Sequence, residues 1–116
     1  MTINIKATGM EMTDAIKQYA EEKFEDLPKF FGNIQHVNID VGMRSHHHHK
    51  GKIFYAEINV SVPKKEMIRV VKEADDLYKA IDKVKDHLKS ELRDFKEKIK
   101  TKDKKLLRGQ KEYKEE

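Results

Sequence analysis

The chain has 116 residues, of which 37% are hydrophobic and 40% are charged, and its formal net charge is +4 at pH 7. A chain of this length builds one modest core, so a single folded domain is predicted. The absence of cysteine excludes disulfides, thiol catalysis and thiolate metal sites. No segment approaches the roughly 18 consecutive apolar residues of a membrane span, and the start has no signal-peptide core. We therefore expect a cytoplasmic protein without membrane contact.

Apolar residues first alternate with polar ones and then recur at helical spacing. Ile3, Ile5 and Ala7 predict a strand over residues 2–8. Thr13 predicts a helix N-cap, and the helix that follows has an apolar stripe of Ile16, Tyr19, Ala20, Phe24 and Leu27. Pro28 predicts the end of this helix, because its ring clashes inside a continuing helix.

Three further strands and a second helix follow. Alternation predicts strands around residues 37–43 and 54–62, and a β-rich segment predicts a short strand over 67–72. The second helix opens at Asp75 and Asp76, and its stripe consists of Leu77, Ile81, Val84, Leu88, Leu92, Phe95 and Ile99. Periodicity is lost after Leu107, so we predict a domain over residues 1–100 and a charged, flexible tail over 101–116.

The order β-α-β-β-β-α predicts an α+β fold, a two-layer sandwich in which both helices cover one face of a four-stranded sheet. The first helix is then a right-handed crossover between two strands. The other sheet face is predicted to meet water, and it carries Asn38, Asp40, Tyr55, Glu57, Asn59 and Ser61.

The basic residues are concentrated in the C-terminal half. Residues 64–116 hold 18 lysines and arginines against 13 acidic residues, whereas residues 1–63 hold 7 against 8. A basic face is typical of a protein that binds a polyanion, because each neutralised phosphate releases condensed counterions. A solvated helix surface has the same composition, so charge alone leaves both interpretations open.

Three segments resemble one family. They are Ile3-x-Ile5, Met12-Thr13-Asp14-Ala15-Ile16 and above all Asp76-Leu77-Tyr78-Lys79-Ala80-Ile81-Asp82. Together they resemble the ribosome hibernation promoting factor and ribosome-associated inhibitor family over residues 1–100. Members bind the small ribosomal subunit under stress, lie across its decoding sites and block messenger and transfer RNA through contacts with ribosomal RNA.

The resemblance implies a translation inhibitor that is not an enzyme and needs no cofactor, with the small ribosomal subunit and its ribosomal RNA as partners. The length resembles the short forms of the family, which implies a monomer. In short forms ribosome dimerisation, where it occurs, needs a separate ribosome modulation factor.

Eight basic residues are the candidate RNA contacts. The second helix departs from the family pattern, since His87, Ser90 and Asp94 stand where cations are expected. At 100° per residue one flank of this helix still carries Lys85, Lys89, Arg93, Lys96 and Lys100. Phosphate binding needs charge and reach more than fixed geometry. The predicted RNA-binding residues are Lys17, Lys23, Lys29, Lys79, Lys83, Lys89, Arg93 and Lys96, although any one of them also fits a solvated surface.

Two other features have alternative interpretations. Tyr78 is either a half-buried ring or a ring that stacks on an RNA base. The run His46, His47, His48 and His49 lacks a carboxylate or cysteine nearby that would complete a metal site, so we predict a loop and no metal.

Two other functions compete with ribosome binding. A double-stranded RNA-binding module has the same element order once the first strand is set aside, but the acidic start of the second helix would repel phosphates. An enzyme is disfavoured because the sequence has no glycine-rich phosphate loop and no nucleophile with a base at useful spacing.

Overall fold

A four-stranded mixed sheet carries two helices, as the element order predicted. The computed structural model describes residues 1–44, 53–63 and 67–115, with side chains described through residue 100. The elements are β1 (Thr2–Thr8), α1 (Asp14–Phe24), β2 (His36–Arg44), β3 (Ile53–Ser61), β4 (Met67–Ala74) and α2 (Leu77–Glu115), with a short 3₁₀ helix at Leu27–Lys29. The strand order is β1-β2-β3-β4. β1 is parallel to β2, and the other pairs are antiparallel.

Capping and proline determine where α1 begins and ends. The Thr13 hydroxyl accepts a hydrogen bond of 3.1 Å from the Ile16 amide, which satisfies one of the free donors at the helix start. The helix ends at Phe24, and the chain then forms the 3₁₀ turn with Pro28 inside it. Pro28 is tolerated there because the first turn of a helix does not need its amide hydrogen.

The strand register places most of the apolar strand residues on one face of the sheet, and Tyr55, Met67 and Val71 lie on the other. Ile39 of β2 lies between Ile5 of β1 and Ile58 of β3, and Ile58 pairs with Val70 of β4. Buried residues of both helices join these strand residues in one cluster: Ile16, Ala20 and Phe24 from α1, and Leu77, Ala80, Ile81, Val84, Leu88 and Leu92 from α2. Both helices therefore cover the same sheet face, and the predicted two-layer sandwich is confirmed.

The opposite face is polar, but Tyr55 on it does not meet water. Tyr55 is only 8% exposed, because its ring packs over Gly42, which has no side chain, and under the guanidinium of Arg44, 4.6 Å from the ring centroid. Its hydroxyl donates a hydrogen bond of 3.2 Å to Asp40, and burial raises the pKa of Tyr55. The prediction that Tyr55 meets water was wrong, because Gly42 and Arg44, which shelter its ring, lie on the neighbouring strand β2.

The last two elements are longer than the sequence pattern indicated. β4 continues to Ala74, and helical backbone continues to Glu115, past the apolar stripe that ends at Ile99. The division into a domain over 1–100 and a flexible tail over 101–116 stays a prediction. The histidine run, His46 to His49, falls outside the described residues. Within the described part of the chain, no helix is long and apolar enough to cross a membrane.

We expect Gly42→Ala to destabilise the fold by about 2–4 kcal/mol, the cost of overpacking a site without space. A Cβ at Gly42 would clash with the backbone oxygen of Thr8 and lie 2.6 Å from the Tyr55 ring. The matched control is Gly32→Ala, because a Cβ there has no atom within 4 Å; its effect should stay within about 1 kcal/mol. Urea unfolding measures both, and equal values for the two variants would contradict the packing argument.

Candidate nucleic-acid interface

Four side chains of α2 recur at three- and four-residue spacing beside the buried stripe, so they lie on one flank of the helix. These side chains are Tyr78, Asp82, Lys85 and Lys89, and each contacts α1 or the turn after it. The flank is therefore the place where the two helices form a common surface. Its middle holds a buried charge, and its two ends differ in character.

Lys85 joins the two helices at the middle of the flank. It is 5% exposed, the only buried charged side chain in the part of the chain that the structure describes. Its ammonium donates hydrogen bonds to the Lys23 carbonyl and to the Asp26 carboxylate. The same ammonium lies 5.8 Å from the Phe24 ring centroid and 5.7 Å from that of Phe30. The carbonyl and carboxylate replace water around the charge, as a buried cation requires.

The carboxylate of Asp26 stays ionised because of Lys85. Burial by itself raises the pKa of Asp26, but the hydrogen bond and the charge of Lys85 outweigh it and hold the pKa below its ordinary value. Asp26 in turn neutralises the buried ammonium of Lys85.

A second network lies one turn nearer the start of α2 and is centred on Asp82. Asp82 accepts a hydrogen bond of 2.5 Å from the Tyr19 hydroxyl and forms an ion pair of 3.0 Å with Lys23. Burial raises the pKa of Asp82, but these two hydrogen bonds outweigh it and leave the pKa lowered. The bond to Asp82 raises the pKa of Tyr19 to about 12, so the hydroxyl remains a donor at neutral pH.

Towards the C-terminal end of α2 the flank becomes cationic. The Lys89 ammonium lies 4.9 Å from the Phe30 ring centroid, a favourable cation–π distance, and Lys29 directly precedes Phe30. Arg93 and Lys96 are exposed and follow on the same flank. We call Lys29, Lys89, Arg93 and Lys96 the cationic flank. None of the four forms an ion pair with a residue that the structure describes.

The other predicted RNA contacts lie elsewhere or have partners. Lys79 forms an ion pair of 3.4 Å with Asp75, and Lys83 donates a hydrogen bond of 3.2 Å to the Glu73 carbonyl of β4. Lys83 is therefore directed towards β4 and away from α1. Lys17 is exposed on another side of α1, since 100° per residue places it about 160° from Tyr19 and about 120° from Lys23 around the helix. The structure thus brings four of the eight candidates together.

The side of α2 opposite the cationic flank has a different character. Glu91, Asp94 and Lys98 line a shallow groove there with Ile68 of β4 and Phe95. Positive charge is therefore concentrated on the α1 side of α2 and mixed charge lies on the β4 side. Among the described residues no cluster of three or more His, Asp or Glu side chains is placed to hold a metal ion.

Sequence reasoning did not identify the contacts that hold this surface together. It placed Lys85 on the right flank of α2 but could not show that Lys85 is buried, because Asp26 and Phe30 lie about 60 residues earlier. The network of Tyr19, Lys23 and Asp82 was missed for the same reason, because Tyr19 and Asp82 are 63 positions apart in the sequence. The available signal was a lysine beside the apolar stripe of the second helix.

We expect Lys85→Met to lower the free energy of unfolding by about 1–2 kcal/mol, because Asp26 loses a charged hydrogen-bond partner. The value lies below that of a fully buried pair, since the Asp26 side chain is 38% exposed and can regain water. Lys96→Met, at an exposed position, is the matched control and should stay within about 0.5 kcal/mol. Urea denaturation compares them, and a Lys85→Met variant as stable as the control would remove the proposed role of this contact.

Lowering the pH should lower the free energy of unfolding, and Lys85→Met should make this decrease smaller. The folded pKa values of Asp26 and Asp82 lie below the ordinary value, so each ionised carboxylate stabilises the fold above about pH 4. This stability is lost as the pH falls through the lowered pKa values. In Lys85→Met the pKa of Asp26 should rise, because burial still raises it and the hydrogen bond and charge of Lys85 no longer lower it. Unfolding free energies between pH 7 and pH 2 should converge for the two proteins at acid pH, whereas parallel curves would contradict the assignment.

The chain matches a known family over most of its length. Residues 3–100 match the family model described as Sigma 54 modulation protein / S30EA ribosomal protein. The ribosome hibernation promotion factor of Lactococcus lactis subsp. cremoris (strain MG1363) is 30% identical over 94 residues, which cover 80% of this chain and 48% of that protein. The factor of the same name from Staphylococcus aureus (strain COL) is 29% identical over 96 residues, covering 82% of this chain and 48% of that protein. The chain thus spans about half the length of these curated relatives.

Solved structures share the fold. A ribosomal subunit interface protein from Coxiella burnetii superposes with a TM-score of 0.72 at 22% identity, covering 83% of this chain and 98% of that one. The N-terminal domain of Thermus thermophilus Protein Y has a TM-score of 0.60 at 30% identity, covering 81% of this chain and 94% of that one. The fold, the strand order and the match over residues 3–100 agree: the chain belongs to the ribosome hibernation factor family, whose model is described as Sigma 54 modulation protein / S30EA ribosomal protein.

Proposed function

We propose that this chain is a cytoplasmic ribosome hibernation factor that inhibits translation during stress. It binds the small ribosomal subunit near the decoding sites and contacts ribosomal RNA through the basic surface of α1 and α2. The bound protein occupies the path of messenger and transfer RNA and blocks both. The proposal joins the family membership to the charge distribution described above, and it assigns no catalytic step to the chain.

The cationic flank is the observation that carries this proposal. Lys89, Arg93 and Lys96 lie along one flank of α2, Lys29 lies in the turn that packs against it, and none of the four forms an ion pair with a described side chain. Such cations suit the phosphate backbone of folded RNA, since the affinity comes from counterion release and does not require a base sequence. Three of the four come from α2, whose helical backbone keeps them in line.

The eight predicted RNA contacts differ in the ion pairs and hydrogen bonds that each must exchange when it binds RNA. The cationic flank loses no ion pair to a described residue on binding, so its members contribute most. Lys23 and Lys79 have carboxylate partners at 3.0 and 3.4 Å, and Lys83 has a backbone carbonyl. These three must exchange or share those partners, so their net contribution is smaller. Lys17 contacts RNA only if the subunit also covers the far side of α1.

The blocking step requires a body that keeps its shape. The core of both helices and the sheet is fully buried at Phe24, Leu88 and Leu92, and Lys85 fixes the end of α1 against α2. A surface held in this way loses little conformational freedom when it binds, which preserves affinity. Exclusion of messenger and transfer RNA is then steric, because two bodies cannot occupy one channel.

The structure favours this function over a stand-alone double-stranded RNA-binding module. β1 pairs with β2 over seven residues, so the first strand is an integral part of the sheet and cannot be set aside. The start of α2 is acidic, and its Lys79 is paired with Asp75. The acidic residues and the paired Lys79 leave little positive charge at the position where such modules hold phosphates.

We expect the double variant Lys89→Glu and Arg93→Glu to bind purified small ribosomal subunits at least tenfold more weakly. The slope of log Kd against log salt should fall by about 2, because two phosphate contacts are lost. Lys6→Glu with Lys98→Glu changes the net charge equally on other surfaces and is the matched control. Sedimentation binding at several salt concentrations measures all three proteins.

Three outcomes would contradict the proposal. The first is that the wild-type chain does not bind the small subunit. The second is that it binds duplex RNA more tightly than the small subunit, and the third is that both double variants lose the same affinity. Messenger and transfer RNA competition on the same subunits tests the blocking step, and undiminished binding of both RNAs in the presence of the chain would exclude it.

A further inference from the structure

An exposed aromatic ring lies at the other end of the same flank of α2. Among the described residues only three large hydrophobic side chains are exposed, and they are Met1, Met67 and Tyr78. Tyr78 is 38% exposed and is the only aromatic ring of the three. It lies 11 residues before Lys89, which is about 16 Å along the helix. An exposed aromatic ring on the same flank of α2 as Lys89, Arg93 and Lys96 is a second kind of binding group on one surface.

The ring of Tyr78 is held in place by contacts with α1. The Tyr19 ring packs edge-to-face against it, with centroids 4.8 Å apart and planes at 89°. Tyr19 is fixed in turn by its hydrogen bond to Asp82, and the backbone amide of Tyr78 donates a hydrogen bond of 2.8 Å to the Asp76 carboxylate. A ring supported in this way is pre-ordered for stacking, so little rotational freedom is lost when a ligand covers its exposed part.

Most of the charges around Tyr78 are paired. The carboxylates there are Asp75, Asp76 and Asp82, and the cations are Lys23 and Lys79. Asp75 is paired with Lys79 and Asp82 with Lys23, and Asp76 lies at the start of α2, where the helix dipole favours a negative charge. A neutral surface around a ring does not attract phosphate, but it does not oppose the flat, uncharged face of a nucleobase.

We propose that Tyr78 is a nucleobase-stacking site, so that the flank binds RNA in two ways: phosphates at its cationic end and an unpaired base at Tyr78. This inference rests on the proposed function, because it takes RNA as the ligand. Single-stranded RNA segments offer unstacked bases, and stacking on tyrosine is a common way for proteins to hold them. The site adds affinity that does not depend on salt, because no counterion is released by stacking.

The first test compares Tyr78→Ala with Tyr78→Phe in small-subunit binding. We expect Tyr78→Ala to weaken binding about 5- to 100-fold, the range for loss of one stacked base, and Tyr78→Phe to stay within about threefold, since it keeps the ring. The salt slope should remain that of the wild type in both. Tyr19→Phe controls for the support of the ring, because it removes the bond to Asp82 and leaves both rings in place.

The second test uses the absence of tryptophan from the chain. Tyr78→Trp introduces a single fluorophore that keeps an aromatic face, and a stacked base should quench its emission when small subunits are added. His36→Trp places the fluorophore at an exposed position on the polar sheet face and should show no comparable quenching. The wild-type affinity should be retained by both tryptophan variants within about threefold.

The outcomes separate the two proposals. If the wild-type chain does not bind small subunits, the proposed function fails. If it binds and Tyr78→Ala binds equally well, or the emission of the Tyr78→Trp variant is unchanged in the complex, the stacking site is excluded while the proposed function stands. A change in salt slope for Tyr78→Ala would also overturn the inference, because it would assign Tyr78 to the phosphate contacts.

Discussion

The contact between Lys85 and the end of α1 is the interaction on which the candidate surface depends. A lysine ammonium is costly to bury, and here one is enclosed by a carboxylate, a carbonyl and two aromatic rings. Those partners come from Lys23, Phe24, Asp26 and Phe30, which cover the end of α1 and the turn after it. The ammonium therefore holds that turn against α2, and with it the Phe30 ring that Lys89 contacts. Such a contact selects one arrangement of the two helices more than it adds stability.

The sequence predicted the fold well because periodicity reports burial directly. Ile3, Ile39 and Ile58 alternate with polar residues, and each lies on the core face of the sheet. Thr13 and Pro28 act within a few residues of their own positions, so the limits of α1 were also readable. The sheet face of Tyr55 was predicted and its burial was not, because Gly42 and Arg44 on β2 shelter it and alternation along β3 carries no information about the next strand.

The candidate site was predictable in composition and not in arrangement. The sequence identified the basic side chains, but their availability depends on partners that are distant in the chain. Lys89 and Arg93 form no ion pair with a described side chain. Lys23, in contrast, is paired with Asp82, and Lys83 donates a hydrogen bond to the Glu73 carbonyl. Helical angles placed Lys85 on the same flank as Lys89, yet the first is buried and the second borders the surface. Sequence spacing gives the direction of a side chain, and only tertiary contacts decide whether water or protein surrounds it.

Pairing of charges divides the flank of α2 into two chemically different ends. At the start of the helix each described carboxylate is matched by a lysine or by the helix dipole, so the surface around Tyr78 is close to neutral. Beyond Lys85 the lysines of the cationic flank and Arg93 have no such matches among the described side chains. A uniform row of cations would attract any polyanion, duplex or single-stranded, at a strength set by salt alone. With the proposed stacking at Tyr78, a neutral aromatic end beside the cationic end would favour an RNA that offers both an unpaired base and nearby phosphates. Selectivity for such an RNA would then come from the spacing of the two ends along one helix, without any contact that reads a base sequence.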